Sequence, residues 1–350
     1  MAFQKAIAVT DLAQPVKLID RPIPKPGSGQ VLVKVSIAGL NPHDGRVREV
    51  AYFVSKENLP ATFAIDIVGE IAELGPDVTS FNVGDKVFGQ GDPAVSDTKG
   101  SQEYALLEAD FIATLPKTVS QDQASTILLN ALTSYIALFS ESGFGLTSPL
   151  STNNTGYDYS KVGIVFIGGN TACGKFGIQL AKWAGVSTII ATAGIHAEQA
   201  LKSMGATHVI DRNFSDEDVY RAVRNIVGDD LLYVCDVVNA VDQTLGVRLL
   251  SDTKEGTFVP LRPRPDSIDE TAVGPKKAGY RVQKFVAKPA LFRELAAEFF
   301  KALPNLIDDG VLQPTSSSVI NGLDADAINK QLDGWRDGGW PTRANIHVDV

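Results

Sequence analysis

An α/β fold built around a doubly wound parallel sheet is what this sequence predicts, on three observations. Val162–Ile167 is a nearly continuous apolar run rich in β-branched residues, the pattern of a strand buried on both faces. Gly168 and Gly169 end that run. From about Gly174 the apolar residues shift to helical spacing, with Phe176, Leu180 and Trp183 on one stripe and Gly185 as a stop. Downstream, strand-like and helix-like segments alternate from Thr188 to Val286.

The alternation runs as strands at Thr188–Thr192, His208–Ile210, Leu231–Val238, Thr257–Pro260 and Arg281–Val286, with helices at His196–Met204 and Ser215–Val227. Gly185, Gly205 and Gly228 punctuate three helix ends. Strand, glycine-rich turn and helix form the geometry that lays a pyrophosphate on a helix N-terminus, where N–H groups and the macrodipole favour negative charge. At G-x-G-x-x-G spacing the positions are Gly169, Thr171 and Gly174, so threonine replaces the glycine of closest approach. Such a degenerate turn also serves ordinary strand–helix connections. The alternation after it favours a Rossmann-type dinucleotide fold with its ligand at the switch point. Gly169, Asn170, Thr171, Ala172, Gly174 and Lys175 are the candidate cofactor-binding residues of this turn.

The first 130 residues read as β-rich, with runs at Lys5–Val9, Val31–Ala38, Ile65–Leu74, Lys86–Phe88 and Glu103–Leu107 between proline and glycine clusters. Arg21–Gly29 reads as a surface loop and Gln121–Phe139 as one long apolar helix joining the two halves. Leu146–Ser160 reads as a polar, solvent-exposed insertion. After about Pro289 the pattern gives helices at Leu291–Leu303 and Asp326–Trp335 and a strand at Ala344–Val350, packed back on the N-terminal half. The expected domains are residues 1–130 with 290–350, and 131–289.

A chain of 350 residues suits two domains with ample core, and 44% apolar with 21% charged residues argues against disorder and against a membrane class. The net charge of −9, with no basic run, argues against nucleic acid as the partner. Cys173 and Cys235 read as small buried fillers in a reducing compartment rather than a disulfide or metal pair. The N-terminus lacks a signal-peptide pattern and no apolar run spans a bilayer, so a cytoplasmic protein, monomer or homodimer, is expected.

Several motifs, in order, resemble the medium-chain dehydrogenase/reductase superfamily, in its zinc-free branch of quinone and enoyl reductases. They are Gly39-Leu-Asn-Pro-His-Asp44, Ala64-Ile-Asp-Ile-Val-Gly-Glu-Ile-Ala-Glu-Leu-Gly75 with Val83-Gly-Asp-Lys-Val87, Ala131-Leu-Thr-Ser-Tyr135, the glycine turn, and Met204-Gly-Ala-Thr-His-Val-Ile-Asp211. The Gly-Gly-Asn-Thr-Ala turn is similar to that of trans-acting enoyl reductases of fungal polyketide pathways. The resemblance implies a β-rich GroES-like catalytic domain beside the Rossmann-type domain, and a role in secondary metabolism.

In the zinc-dependent branch, the three ligands of the catalytic metal would fall by motif position on Asn41, Ile65 and Leu129, none of them Cys or His. The four-cysteine lobe of that branch is absent from Gly91–Gln102. A metal needs its full ligand set, so no metal is expected. Without a Lewis acid, hydride addition to a conjugated C=C bond is easier than to an isolated ketone, because the resulting enolate spreads its charge over carbon and oxygen. The expected activity is NADPH-dependent reduction of an α,β-unsaturated carbonyl, free or carrier-bound. Quinone reduction is the alternative, and a non-catalytic NADPH-binding protein is the reading from another class.

Tyr52 lies eight residues after Asp44, the spacing at which similar enoyl thioester reductases carry a catalytic tyrosine. It is the candidate acid, or else a residue of the cleft rim. Asn41 offers an amide to substrate, or ties its own Asn-Pro turn. His43 stands where the zinc branch relays protons, or is incidental. Arg46 falls where quinone reductases carry an aromatic residue. Thr133 matches a threonine bordering the nicotinamide, or bonds its own helix. Asp66 and Glu70 read as structural polar residues, and Trp335 and Trp340 as tail packing. The second strand ends in Thr192-Ala-Gly194 with no carboxylate to take ribose hydroxyls, and Arg212 follows the third strand. That favours NADPH, with Thr192 as a further cofactor contact and His196 and Lys202 as weaker candidates for the 2′-phosphate.

Overall fold

The computed structural model describes residues 2–152 and 156–348. It divides into two compact units, Met1–Leu129 with Lys288–Val350, and Asn130–Ala287.

The first unit opens with β1 (Phe3–Ala8) and β2 (Lys17–Pro22), an antiparallel pair. The end of β2 thus takes in Arg21 and Pro22, which the proline pattern had assigned to a loop; alternating exposure along charged residues hid the strand. β3 (Gln30–Gly39), α1 (Pro42–Val50), β4 (Asp66–Leu74), β5 (Lys86–Gln90), β6 (Tyr104–Glu108) and β7 (Ile112–Thr114) follow. The expected single helix is two, α2 (Gln121–Ser125) and α3 (Leu128–Phe139). Ser120 and Gln123 form a capping box at the start of α2, and the Thr126 hydroxyl back-bonds to the Gln123 carbonyl at 2.7 Å, ending the first turn.

The second unit alternates as expected: β8 (Gly163–Ile167), α4 (Ala172–Ala184), β9 (Thr188–Ala193), α5 (Glu198–Met204), β10 (His208–Asp211), α6 (Asp216–Val227), β11 (Tyr233–Asp236), α7 (Thr244–Leu249), β12 (Gly256–Pro260), α8 (Glu270–Val273) and β13 (Tyr280–Val282). Its six strands are all parallel in the order β10-β9-β8-β11-β12-β13, so the direction of winding reverses between β8 and β11. The α/β expectation is met, with a core of Val165, Ile190, Val234 and Phe258. The expected strand to Val286 stops at Val282. The segment 146–160 is less exposed than its composition suggests: Leu146, Ser148 and Tyr159 are buried, and Ser148 bonds the buried Tyr135 hydroxyl. Asn153–Thr155 of that segment lie outside the described residues.

The chain returns to the first unit with α9 (Arg293–Asp308), β14 (Ser318–Asn321), α10 (Ala325–Arg336) and β15 (Ala344–His347). β15 pairs antiparallel with β3, Ile346 opposite Ala38, in a sheet ordered β14-β15-β3-β4-β5-β7 with β6 also on β3. Trp335 joins its core, while Trp340 is 58% exposed, so the expected packing of the tail rests on the first of these. Asp349 and Val350 of the expected final strand lie outside the described residues. Among the described residues, no helix is long and apolar enough to cross a membrane.

Candidate active site

In the second unit, β8 delivers the chain to Gly168, whose φ of +89° is a left-handed conformation that favours glycine. A Cβ on Gly169 would lie 2.6 Å from Ala191 Cβ, and one on Gly174 only 2.5 Å from the Gly168 carbonyl oxygen. Bare glycines at both places let α4 start hard against the strand ends. Thr171, in place of the middle glycine, is the N-cap of α4. Its Oγ1 accepts from Gly174 N–H at 3.1 Å and donates to the Gly168 carbonyl at 2.9 Å. Thr192 clamps the turn from β9: its carbonyl accepts from the N–H groups of Gly168 and Gly169 at 3.1 and 2.9 Å, and its Oγ1 from Gly168 N–H at 3.1 Å.

These residues fit the pyrophosphate of a dinucleotide. The opening turn of a helix carries N–H groups without intrahelical acceptors and the positive end of the dipole. No acid lies in the first turn of α4, and half-buried Lys175 adds a cation whose pKa burial pulls down. Asn170 is exposed, and Thr171 and Ala172 are half-buried. At the neighbouring strand ends, Arg212 is exposed and its N–H donates to the Ala193 carbonyl at 2.9 Å. His196 is exposed, its ring close over Gly194. Lys202 is drawn to Glu198 at 2.7 Å, on its own helix. Thr133 is half-buried in α3. Sequence reasoning passed over Asp211, an acid in register with Ala193 one strand away, whose Oδ1 accepts from Asn213 N–H at 3.0 Å.

In the first unit, α1 starts at Asn41 as N-cap, with Pro42 at the first helical position. His43 is therefore helical. Asp44, wholly buried, accepts from Asn41 N–H at 2.7 Å and Ala64 N–H at 2.9 Å, and His43 Nε2 lies 3.3 Å from its Oδ1. The Asn-Pro-x-Asp pattern was the signal for this helix. Asn41 Nδ2 donates to Asp66 Oδ2 at 2.8 Å. Asp66, also wholly buried, accepts in addition from Leu129 N–H at 3.0 Å and from Arg343 Nη2 at 3.2 Å. Burial raises the Asp66 carboxyl above its ordinary pKa, with the Arg343 charge opposing.

Thus one position that a zinc ligand would take carries an amide bonded to Asp66, and the other two, Ile65 and Leu129, carry hydrocarbon. A guanidinium is bound to Asp66 beside them. Among the described residues, no group of three or more His, Cys, Asp or Glu side chains is placed to hold a metal. This donor set does not fit zinc. Two cations escaped sequence reasoning. Arg343 is 92% buried by side chain (8% exposed), and its Nε and Nη1 find no acceptor among the described residues. Lys99 is 1% exposed, with Nζ likewise unpartnered; burial pushes its pKa down to about 8 against the pull of Asp44.

Tyr52 is half-buried just past α1, its ring against Arg46 and Phe53; Phe53 stands edge-on to His43. Both candidate proton donors of this unit therefore belong to one cluster.

Two families match this chain: residues 27–117 match the alcohol dehydrogenase GroES-like domain, and residues 172–261 the zinc-binding dehydrogenase family. The chain is 27% identical over 320 residues to a trans-enoyl reductase, fsr4, of Gibberella fujikuroi, covering 90% of each. It is 25% identical over 309 residues to a zinc-type alcohol dehydrogenase-like protein of Staphylococcus epidermidis, covering 87% of each. The solved quinone oxidoreductase of Coxiella burnetii superposes with a TM-score of 0.73 at 25% identity, over 99% of this chain and all of that one. With both family matches, these relatives and the shared fold in hand, the chain belongs to the medium-chain dehydrogenase/reductase superfamily of oxidoreductases.

Proposed function

We propose that this protein is a zinc-independent, NADPH-dependent reductase of the C=C bond of an α,β-unsaturated carbonyl, an enoyl thioester or an enone, acting in secondary metabolism. The observation that carries this reading is the Asn41–Asp66–Arg343 set, which puts an amide and a guanidinium on the carboxylate beside the positions of the metal ligands. The likeness to a trans-enoyl reductase supports it.

The turn Gly169–Lys175 would hold the pyrophosphate, Arg212 the 2′-phosphate, and Thr133 would border the nicotinamide. When bound, the reduced dinucleotide supplies the hydride. The substrate gains that hydride at its β-carbon and a proton at its α-carbon, so the C=C bond becomes a single bond. Tyr52 donates the proton from its hydroxyl, and N–H or O–H donors hold the carbonyl oxygen while it carries partial negative charge.

The test is the fall in NADPH absorbance across a panel of enones, enoyl thioesters, quinones and simple ketones. Reduction of a conjugated alkene, lowered about a hundredfold in kcat by Tyr52→Phe with cofactor affinity kept, is the expected result. Turnover of quinones alone would replace the proposal with a quinone reductase, and no turnover with NADPH still bound would leave a binding protein.

A further inference from the structure

Tyr52 is gripped more tightly than a rim residue needs to be. Its ring lies beneath the Arg46 guanidinium, with Arg46 Cζ 4.0 Å from the ring centroid. On Phe53 it leans at 45°, centroids 4.0 Å apart. Both backbone neighbours of Tyr52 occupy the left-handed region, Ala51 at φ +54° and Phe53 at φ +71°. Residues with side chains adopt that region only where the surroundings over-determine it, a pattern that clusters at functional sites. The Tyr52 N–H also donates to the Arg46 carbonyl at 3.2 Å, so one residue holds Tyr52 by backbone and side chain together.

Among the described residues, Arg46 has no competing ion pair. It is exposed, and no carboxylate among the described residues lies within 4 Å of it, whereas Arg48, two positions on, pairs with Glu49 and Asp333, both at 2.7 Å. A guanidinium kept on an aromatic face without a carboxylate is held there by the attraction of the ring's negative face. We propose that Arg46 is a positioning residue, which holds the Tyr52 ring against rotation about Cα–Cβ and so fixes the place of its hydroxyl for proton transfer. The proposal rests on the reading of Tyr52 as the protein acid.

Arg46→Leu keeps apolar cover and removes the planar cation. It should lower kcat on the best conjugated substrate by about tenfold and leave the KM for NADPH within about twofold. Arg46→Lys, which restores a cation without the plane, should recover part of the loss. In a Tyr52→Phe background, Arg46→Leu should cost nothing further, because the hydroxyl it positions is gone. An independent readout uses protein labelled with 3-fluorotyrosine: the Tyr52 signal, identified by its absence in Tyr52→Phe, should move in Arg46→Leu. An unmoved signal overturns the contact in solution. A slow Tyr52→Phe enzyme beside an Arg46→Leu enzyme as fast as wild type overturns the Arg46 proposal alone. A Tyr52→Phe enzyme as fast as wild type overturns the acid reading, and the Arg46 role in catalysis with it.

Discussion

Arg343 Nη2 donates to Asp66 Oδ2 at 3.2 Å, across 277 residues of chain and with both side chains withdrawn from water. A buried pair of this kind is weak evidence of net stabilisation, but removing one partner strands the other charge. Arg343→Met should therefore destabilise by about 3–5 kcal/mol. Asp66→Asn combined with Arg343→Met should recover most of that loss. Urea denaturation followed by tryptophan fluorescence measures both; a neutral single variant would mean that water already reaches the pair.

Lys99 gives a pH-dependent test. Its folded-state pKa is about 8 against an ordinary 10.5. Between those values the unfolded chain holds a proton that the folded chain has released, so this group makes stability rise as pH rises from about 8 to about 10.5. Below about 8 the buried charge is a constant penalty, on the order of 3 kcal/mol. Lys99→Met should raise stability at pH 7 and remove this rise. A variant with wild-type stability at both pH 7 and pH 10 would contradict the burial argument.

The proposed preference for NADPH rests on Arg212. Arg212→Ala should weaken NADPH binding by about tenfold and leave NADH binding unchanged, since a charge-assisted bond to the 2′-phosphate is all that is lost. Fluorescence titration of the purified protein with each cofactor reads this out. Equal or tighter binding of NADH by the wild type would instead point to Asp211, in register with Ala193, as the residue that takes the ribose.

The metal prediction needs elemental analysis and a chelator. The purified protein should carry no stoichiometric zinc, and its activity should survive chelation. About one zinc per chain, lost together with activity, would overturn the assignment of Asn41, Ile65 and Leu129 to the ligand positions.

The second unit was legible because its strands are apolar runs and α4, α5 and α6 end on glycines, both local signals. The glycine turn gave its own geometry through Gly169 and Gly174, where a Cβ has no room. The first unit was legible only in outline. Pro42–Val50 is too polar to show helical periodicity, and only its cap pattern betrays it. Arg343 and Lys99 could not be read at all. Charged residues in polar stretches look exposed, and Arg343 meets Asp66 only because β15, which it precedes, lies against β3.

That same pairing reverses the usual order of assembly on the ribosome. Domains ordinarily fold as units in the order in which they are made. Here Asn130–Ala287 is complete while the first unit still lacks β14 and β15. Until residues beyond 343 are synthesised, the flank of β3 that later meets β15 is an open edge able to recruit other strands, and Asp66 has no guanidinium. The unit that begins first is thus completed only after the second, and in that interval the edge of β3 stays exposed.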